Sequence, residues 1–188
     1  MENFLESYHL PVVHPGLNAY SPLEDHELVV DEVFMGQLSL NYAPVDGGNA
    51  LPRFGGLTEA RATTGEYLLL FPSLMVSITP DHFRATIVTP VSAGVTHQRW
   101  EFFFVGEEGA AERFRAARDA VVERVAAYTR EDIDILEKLQ AGRRSSGYDG
   151  GRFSPFHETT THRFQTLIAR SLHGPRRDAA SAAPAHFA

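Results

Sequence analysis

Residues 74–105 read LMVSITPDHFRATIVTPVSAGVTHQRWEFFFV. Three β-rich runs stand here almost end to end: Leu74–Thr79, Phe83–Thr89 and His97–Val105. Pro80-Asp81, Pro90 and Gly94 separate them, and connections this short join antiparallel neighbours. Upstream, Leu28–Phe34 is rich in valine, and Gln37–Tyr42 alternates Leu38, Leu40 and Tyr42 against Gln37, Ser39 and Asn41. Glu66–Phe71 adds a further apolar run closed by Pro72, and the glycine-rich stretch 47–64 reads as a long loop. Downstream the period changes. From Ala110 to about Gln140, Val121, Val125, Tyr128, Ile135 and Leu139 recur at helical steps, and Gly142 is a plausible stop. The expected fold is α+β, an antiparallel meander with one long C-terminal helix laid across it. A sheet curved beneath such a helix leaves a cavity suited to a small ligand. Arg143–His162 reads as irregular and Phe164–Leu172 as a short terminal helix. Residues 1–172 are thus expected to form one domain, with 173–188 a disordered tail.

Composition bounds the function. The chain has 188 residues, 43% hydrophobic and 22% charged, an ordinary globular balance. The longest apolar runs, such as Leu68–Phe71 and Phe102–Val105, fall far short of the roughly 20 residues that span a bilayer. The net charge of −7 provides no basic footprint for nucleic acid. Cysteine is absent, which excludes disulfides, thiolate zinc sites, a cysteine nucleophile and any iron–sulfur cluster held by this chain. The N-terminus lacks the basic and apolar regions of a signal peptide, so the expected location is cytoplasmic.

Two places carry candidate chemistry. His9 and His14 are five residues apart, about 140° around an ideal helix and poorer than the i, i+4 spacing of zinc helices. Pro11 between them is expected to distort the helix and bring both rings to one point; two surface or packing histidines would give the same pattern. Asp132 falls on the apolar line of the long helix, where a charge is costly unless paired or metal-bound. A slight rotation of the helix, leaving Asp132 at a wet boundary, is the other reading. Glu131 and Asp134 fall on the polar side, where Asp134 can pair with Lys138. Two histidines and one carboxylate form the facial triad of mononuclear non-haem Fe(II), provided the three converge.

The run from Glu2 to Leu17, ENFLESYHLPVVHPGL, resembles the iron-ligand motif of Rieske non-haem iron oxygenase alpha subunits, E-N-x-x-E-x-Y-H-x4-H-P. Arg130-Glu131-Asp132 through Glu137, Gln140, Gly142 and Ser145 to Tyr148 resembles their second signature, in which an acidic pair opens a helix ending in Q-x-G. Gly151–Pro155 and Glu158 through Phe164 resemble the C-terminal stretch of the family. The resemblance implies a helix-grip fold of the START/Bet v 1-like kind. It implies that His9, His14 and Asp132 hold Fe(2+), that Glu6 is the acid linking a neighbouring subunit's Rieske histidine to an iron-ligand histidine, and that Asn3 lies close to the iron. It further implies insertion of oxygen from O2 into a small organic substrate, aromatic or quaternary amine. Glutamate at the position of Glu6 is more like the quaternary-amine branch.

The electron path implied by the resemblance departs from this sequence. Alpha subunits of the family carry a Rieske [2Fe–2S] domain held by C-x-H and C-x2-H pairs, and these 188 residues contain no cysteine. The expected reading is an internally started or truncated product, or part of a longer chain, ahead of a catalytic half served by a Rieske domain on another chain. NADH is expected to act through a separate reductase or ferredoxin, and a homotrimer is expected where the Rieske half is present. The rival function is a non-redox helix-grip domain binding a small apolar ligand. Among weaker features, Glu24-Asp25-His26 reads as a solvated loop rather than a second metal site. Trp100 and Phe102–Phe104 are expected to divide between pocket and core, and Arg143-Arg144 to complement a helix C-terminus.

Overall fold

The structure is a computed structural model and describes residues 1–44 and 50–174. The expected tail lies, apart from His173 and Gly174, outside the described residues, as do the first residues of the expected 47–64 loop. The chain opens with a 3-10 turn, Glu2–Leu5, and two single-turn helices, α1 (Leu10–Val13) and α2 (Pro15–Asn18). Six strands follow: β1 (His26–Val30), β2 (Phe34–Ser39), β3 (Gly65–Leu70), β4 (Leu74–Ile78), β5 (His82–Ser92) and β6 (Val95–Phe104). Then come α3 (Gly106–Ala110), the 28-residue α4 (Arg115–Gly142) and α5 (Thr159–His173).

The sheet is the expected meander, in the order β1 to β6 with every neighbouring pair antiparallel. Two boundaries differ from the sequence reading. The valine-rich run 28–34 is not one strand, because the chain reverses at 31–33 and Phe34 opens β2. The last two strands run through Pro90, with an irregularity at Pro90/Ser92. Beyond Ile87, β4 no longer pairs with β5, so Pro90 lies in a two-stranded ribbon where its missing N–H is tolerated. Strands β2 and β3 approach closely at Gly36, where an added Cβ would stand 2.0 Å from the Tyr67 carbonyl oxygen.

One face of the sheet carries the core and the cavity. Cross-strand partners place Met35, Leu69, Met75, Thr86 and Trp100 in one row. Gln37, Tyr67, Ser77, Arg84 and Phe102 form the next row on the same face. Leu5, from the opening turn, is fully buried against Met35, Leu69, Met75, Val88 and the α5 residue Phe164. Burial of such a leucine contributes roughly 2 kcal/mol and pins the N-terminal segment onto the sheet. A second cluster, Leu51, Phe114, Ala117 and Val121, seats the first half of α4.

The apolar line read along α4 holds only in part. Val121 is buried, but Leu139 is 53% exposed, and the cavity-facing line beyond Asp132 runs through Ile133 and Leu136. The helix is about 42 Å long at 1.5 Å per residue, and its residues from Val121 to Leu136 line the cavity. Glu131 and Asp132 lie deep inside α4 instead of opening a helix; the alanine-rich run before them continues the helix without a break. Helix α5 begins at Thr159, five residues before the expected Phe164.

Candidate metal centre

Proline sets the local path of the first motif, but not in the way the spacing suggests. Pro11 sits in the first turn of α1, where no backbone N–H is missed. The break falls at His14, whose φ and ψ of −124° and 60° precede Pro15 and separate α1 from α2. His9 caps α1 at one end and His14 at the other, and their ring centroids come to 5.2 Å.

The helix α4 brings the third group. His9, His14 and Asp132 each offer a ligand atom, and these atoms lie within 4.8 Å of one another. Nε2 of His14 is 2.9 Å and Nε2 of His9 3.9 Å from Oδ1 of Asp132. Asp132 thus faces the two histidines rather than a solvated boundary. Asn3 donates from Nδ2 to the same Asp132 oxygen at 2.8 Å. His14 is 2% exposed.

Each imidazole is held on its far side by a carboxylate. Glu6 Oε1 lies 2.7 Å from His9 Nδ1, and Glu6 Oε2 accepts the His9 backbone N–H at 3.2 Å. Glu131 Oε2 lies 2.6 Å from His14 Nδ1. With Nδ1–H donated to the acid, each ring presents its Nε2 lone pair toward the centre, and such partners fix tautomer and orientation in metal sites. Two imidazole nitrogens and one carboxylate oxygen, converging from one side and backed by acids, fit a divalent metal that keeps open positions.

Sequence reasoning placed Glu131 on the polar side and missed this role. The pairing of Asp134 with Lys138, at 2.5 Å, follows the sequence reading. Gln37 was also missed. From β2 it donates to the carbonyl oxygens of Phe4 and Glu6, at 3.2 and 3.3 Å, and so ties the motif segment to the sheet. Thr160 of α5 donates to the Leu5 carbonyl from the other side. His26 is neither a metal ligand nor a free loop residue: Ser21 and Gln37 hold its two ring nitrogens at 2.9 and 2.8 Å.

The centre stands in the wall of a cavity of about 240 Å³ between the sheet and α4. Trp100 lines it, whereas Phe102 and Phe104 pack onto the α4 cluster and Phe103 is exposed. Tyr128 lies against His14, and its hydroxyl meets that of Tyr20; burial first, and the Tyr20 hydroxyl second, push the Tyr128 phenol up. A second buried group sits on the sheet. Asp81 receives Tyr42 Oη and Thr79 Oγ1, both at 3.0 Å, and lies 2.7 Å from Nδ1 of His82. Burial alone would raise the Asp81 carboxyl; the hydrogen bond and charge of His82, with Thr79 and Tyr42, hold it below the usual range. Arg143, at the end of α4, pairs with Glu2 at 2.7 Å.

An antiparallel sheet gripped by a long helix, with two histidines and an aspartate converging at the cavity between them, defines a helix-grip domain with a His–His–Asp group suited to holding a metal ion. Residues 1–174 match the family described as ring hydroxylating alpha subunit (catalytic domain), and the chain belongs to that family. Its relatives include the carnitine monooxygenase oxygenase subunits of Escherichia coli K12 and O157:H7, each 26% identical over 155 residues. That match covers 80% of this chain and 38% of those proteins, so the chain spans well under half their length. Two solved structures of quaternary ammonium Rieske monooxygenases, the second of them CntA with an inhibitor, share the fold with TM-scores of 0.69 and 0.65. At 22% and 21% identity they cover 90% of this chain and 45% and 44% of their own chains. No helix among the described residues is long and apolar enough to cross a membrane.

Proposed function

We propose that this chain is the catalytic domain of a Rieske-type oxygenase, with Fe(II) held by His9, His14 and Asp132. The observation that carries the reading is the convergence of those three groups, within 4.8 Å, at the wall of a cavity between the sheet and α4. Bound Fe(II) would supply reductive activation of dioxygen, with oxygen delivered to a small organic substrate in the cavity. The work of the chain's own residues follows from their positions. Glu6 and Glu131 hold the imidazoles in the tautomer that offers Nε2, and Asn3 fixes the Asp132 carboxylate. The aromatic and apolar parts of the wall, with Phe4 and Trp100 on it, give the substrate a surface to lie against beside the centre. Glu6, buried and bonded to His9, is placed to couple an outside electron donor to that ligand.

The donor in this reading is a Rieske [2Fe–2S] domain outside these 188 residues, supplied by NADH through a reductase or ferredoxin. The working unit is a homotrimer in the cytoplasm, in which a neighbouring subunit presents its cluster to Glu6. The relatives favour a quaternary-amine substrate over an aromatic one. The acids behind both histidines weigh against the non-redox binding domain, which has no use for oriented Nε2 atoms.

Metal analysis tests the reading. Protein reconstituted with Fe(II) under argon should bind about one iron per chain. Asp132→Ala should lose it while its far-ultraviolet dichroism is unchanged, since the variant removes a charge that is costly to bury without its cation. Iron retained by the variant overturns the ligand set, and a wild-type site that takes no iron but holds an apolar molecule supports the binding domain instead.

A further inference from the structure

The cavity wall carries a half-buried positive charge that no carboxylate among the described residues balances. Arg84 lies on β5, on the inner face, and lines the same cavity as His9, His14 and Asp132. A guanidinium has five N–H donors and cannot shed its charge in a protein. Its Nη2 donates to Ser77 Oγ on β4 at 2.8 Å, while its Nε is buried without a partner. No carboxylate among the described residues forms an ion pair with it. Burial pulls its acidity in the direction that disfavours the charge, and only the Tyr67 hydroxyl opposes this. Charged groups are almost never left buried unless paired, because desolvation costs several kcal/mol per ion. Folding therefore supplies half of an ion pair at a place where a ligand enters.

The surroundings define the other half. The cavity wall is mainly apolar and aromatic, with Trp100, Phe4 and Met75 on it, so the ligand has an apolar body as well as a charge. The planar guanidinium fork matches a carboxylate. Asp132, an acid on the same wall, is engaged by Asn3 and the histidines. We propose that Arg84, with Ser77 beside it, binds the carboxylate of an organic acid whose apolar body fills the cavity in front of the metal centre. This rests on the cavity being the substrate site. Substrates of this chain are accordingly carboxylates, and their reacting carbon stands at the end of the molecule away from Arg84.

The test uses the metal-free chain, so that it stands apart from the iron measurement. Trp100 is the single tryptophan and lines the cavity, so its fluorescence reports occupancy. Benzoate and benzamide have the same shape and differ in charge. Benzoate should shift the Trp100 emission with a Kd at least about 10-fold below that of benzamide, as expected for a charge-assisted bidentate contact. Arg84→Met should bring the two within about 3-fold of each other. Arg84→Lys, which keeps the charge but not the fork, should retain part of the preference and serves if the methionine variant fails to fold. Equal binding of the two probes to the wild type, an undiminished preference in Arg84→Met, or no benzoate response by fluorescence or calorimetry up to about 20 mM overturns the proposal. If the Asp132→Ala experiment fails while the benzoate preference holds, the cavity remains an acid-binding site and the oxygenase reading falls alone.

Discussion

His14 is held at both ring nitrogens, by Glu131 on one side and toward Asp132 on the other. Glu131 is half exposed, so the pair adds little to folding, about 0–1 kcal/mol for ion pairs in contact with solvent. Its effect belongs to the ligand. Glu131→Ala should weaken metal affinity by about 10–100-fold in a competition titration, with the unfolding midpoint nearly unchanged. Unaltered affinity would make Glu131 a surface acid. The residues of the centre were legible unevenly. Asn3, Glu6, His9 and His14 stand in one short motif, and Asp132 interrupts an apolar line. Glu131 was hidden because helical periodicity gives only the direction of its Cα–Cβ bond, while two methylenes let the carboxylate reach round to His14. Arg84 sits in an ordinary strand pattern, and its lack of a partner exists only in three dimensions.

At the scale of the elements, the meander and the long helix were readable from period and turn residues, but the alternation in β2 was misleading about its inner face. Over the alternating stretch Gln37–Tyr42, Gln37 and Ser39 are the buried members, and Leu40, just past the strand, lies near the surface. A cavity face is lined with polar groups that bond one another, so the usual apolar-inward rule reverses there. The pair Asp81–His82, at the start of β5, is another such case. The Asp81 carboxyl is held below its unfolded value of about 4. Its contribution to stability is therefore complete above that pH and is lost as the pH falls through the folded value. Asp81→Asn should cost about 1–3 kcal/mol at pH 7, and the variant should lose less further stability between pH 5 and pH 2 than the wild type. Urea unfolding across that range measures both. Parallel acid limbs would show that other carboxylates govern acid unfolding.

For the whole molecule, the cysteine count decides what the isolated chain does. On the proposed oxygenase reading each turnover requires two electrons, and these 188 residues, without cysteine, hold no iron–sulfur cluster to relay them. With Fe(II), NADH and a reductase alone, product should stay at background. A separately added Rieske protein should raise it, and hydrogen peroxide, which carries both oxygen and oxidising equivalents, should give slow product without any reductase. Robust turnover with reductase alone would remove the electron-entry role from Glu6, and silence in all three arms would favour the binding domain. The connection between the ligands has a further consequence. His14 and Asp132 are 118 residues apart, and all six strands lie between them. A cation joining them acts as a reversible cross-link over a very long loop, the arrangement in which chain-entropy reasoning gives a clasp its greatest leverage, about 4–5 kcal/mol for a covalent link of that span. Such a clasp has no grip on a nascent or unfolded polypeptide, whose ligands are far apart. Loading the metal is then a late step in the life of the chain, following the sheet rather than guiding it, and chelation should loosen the first twenty residues before the strands give way.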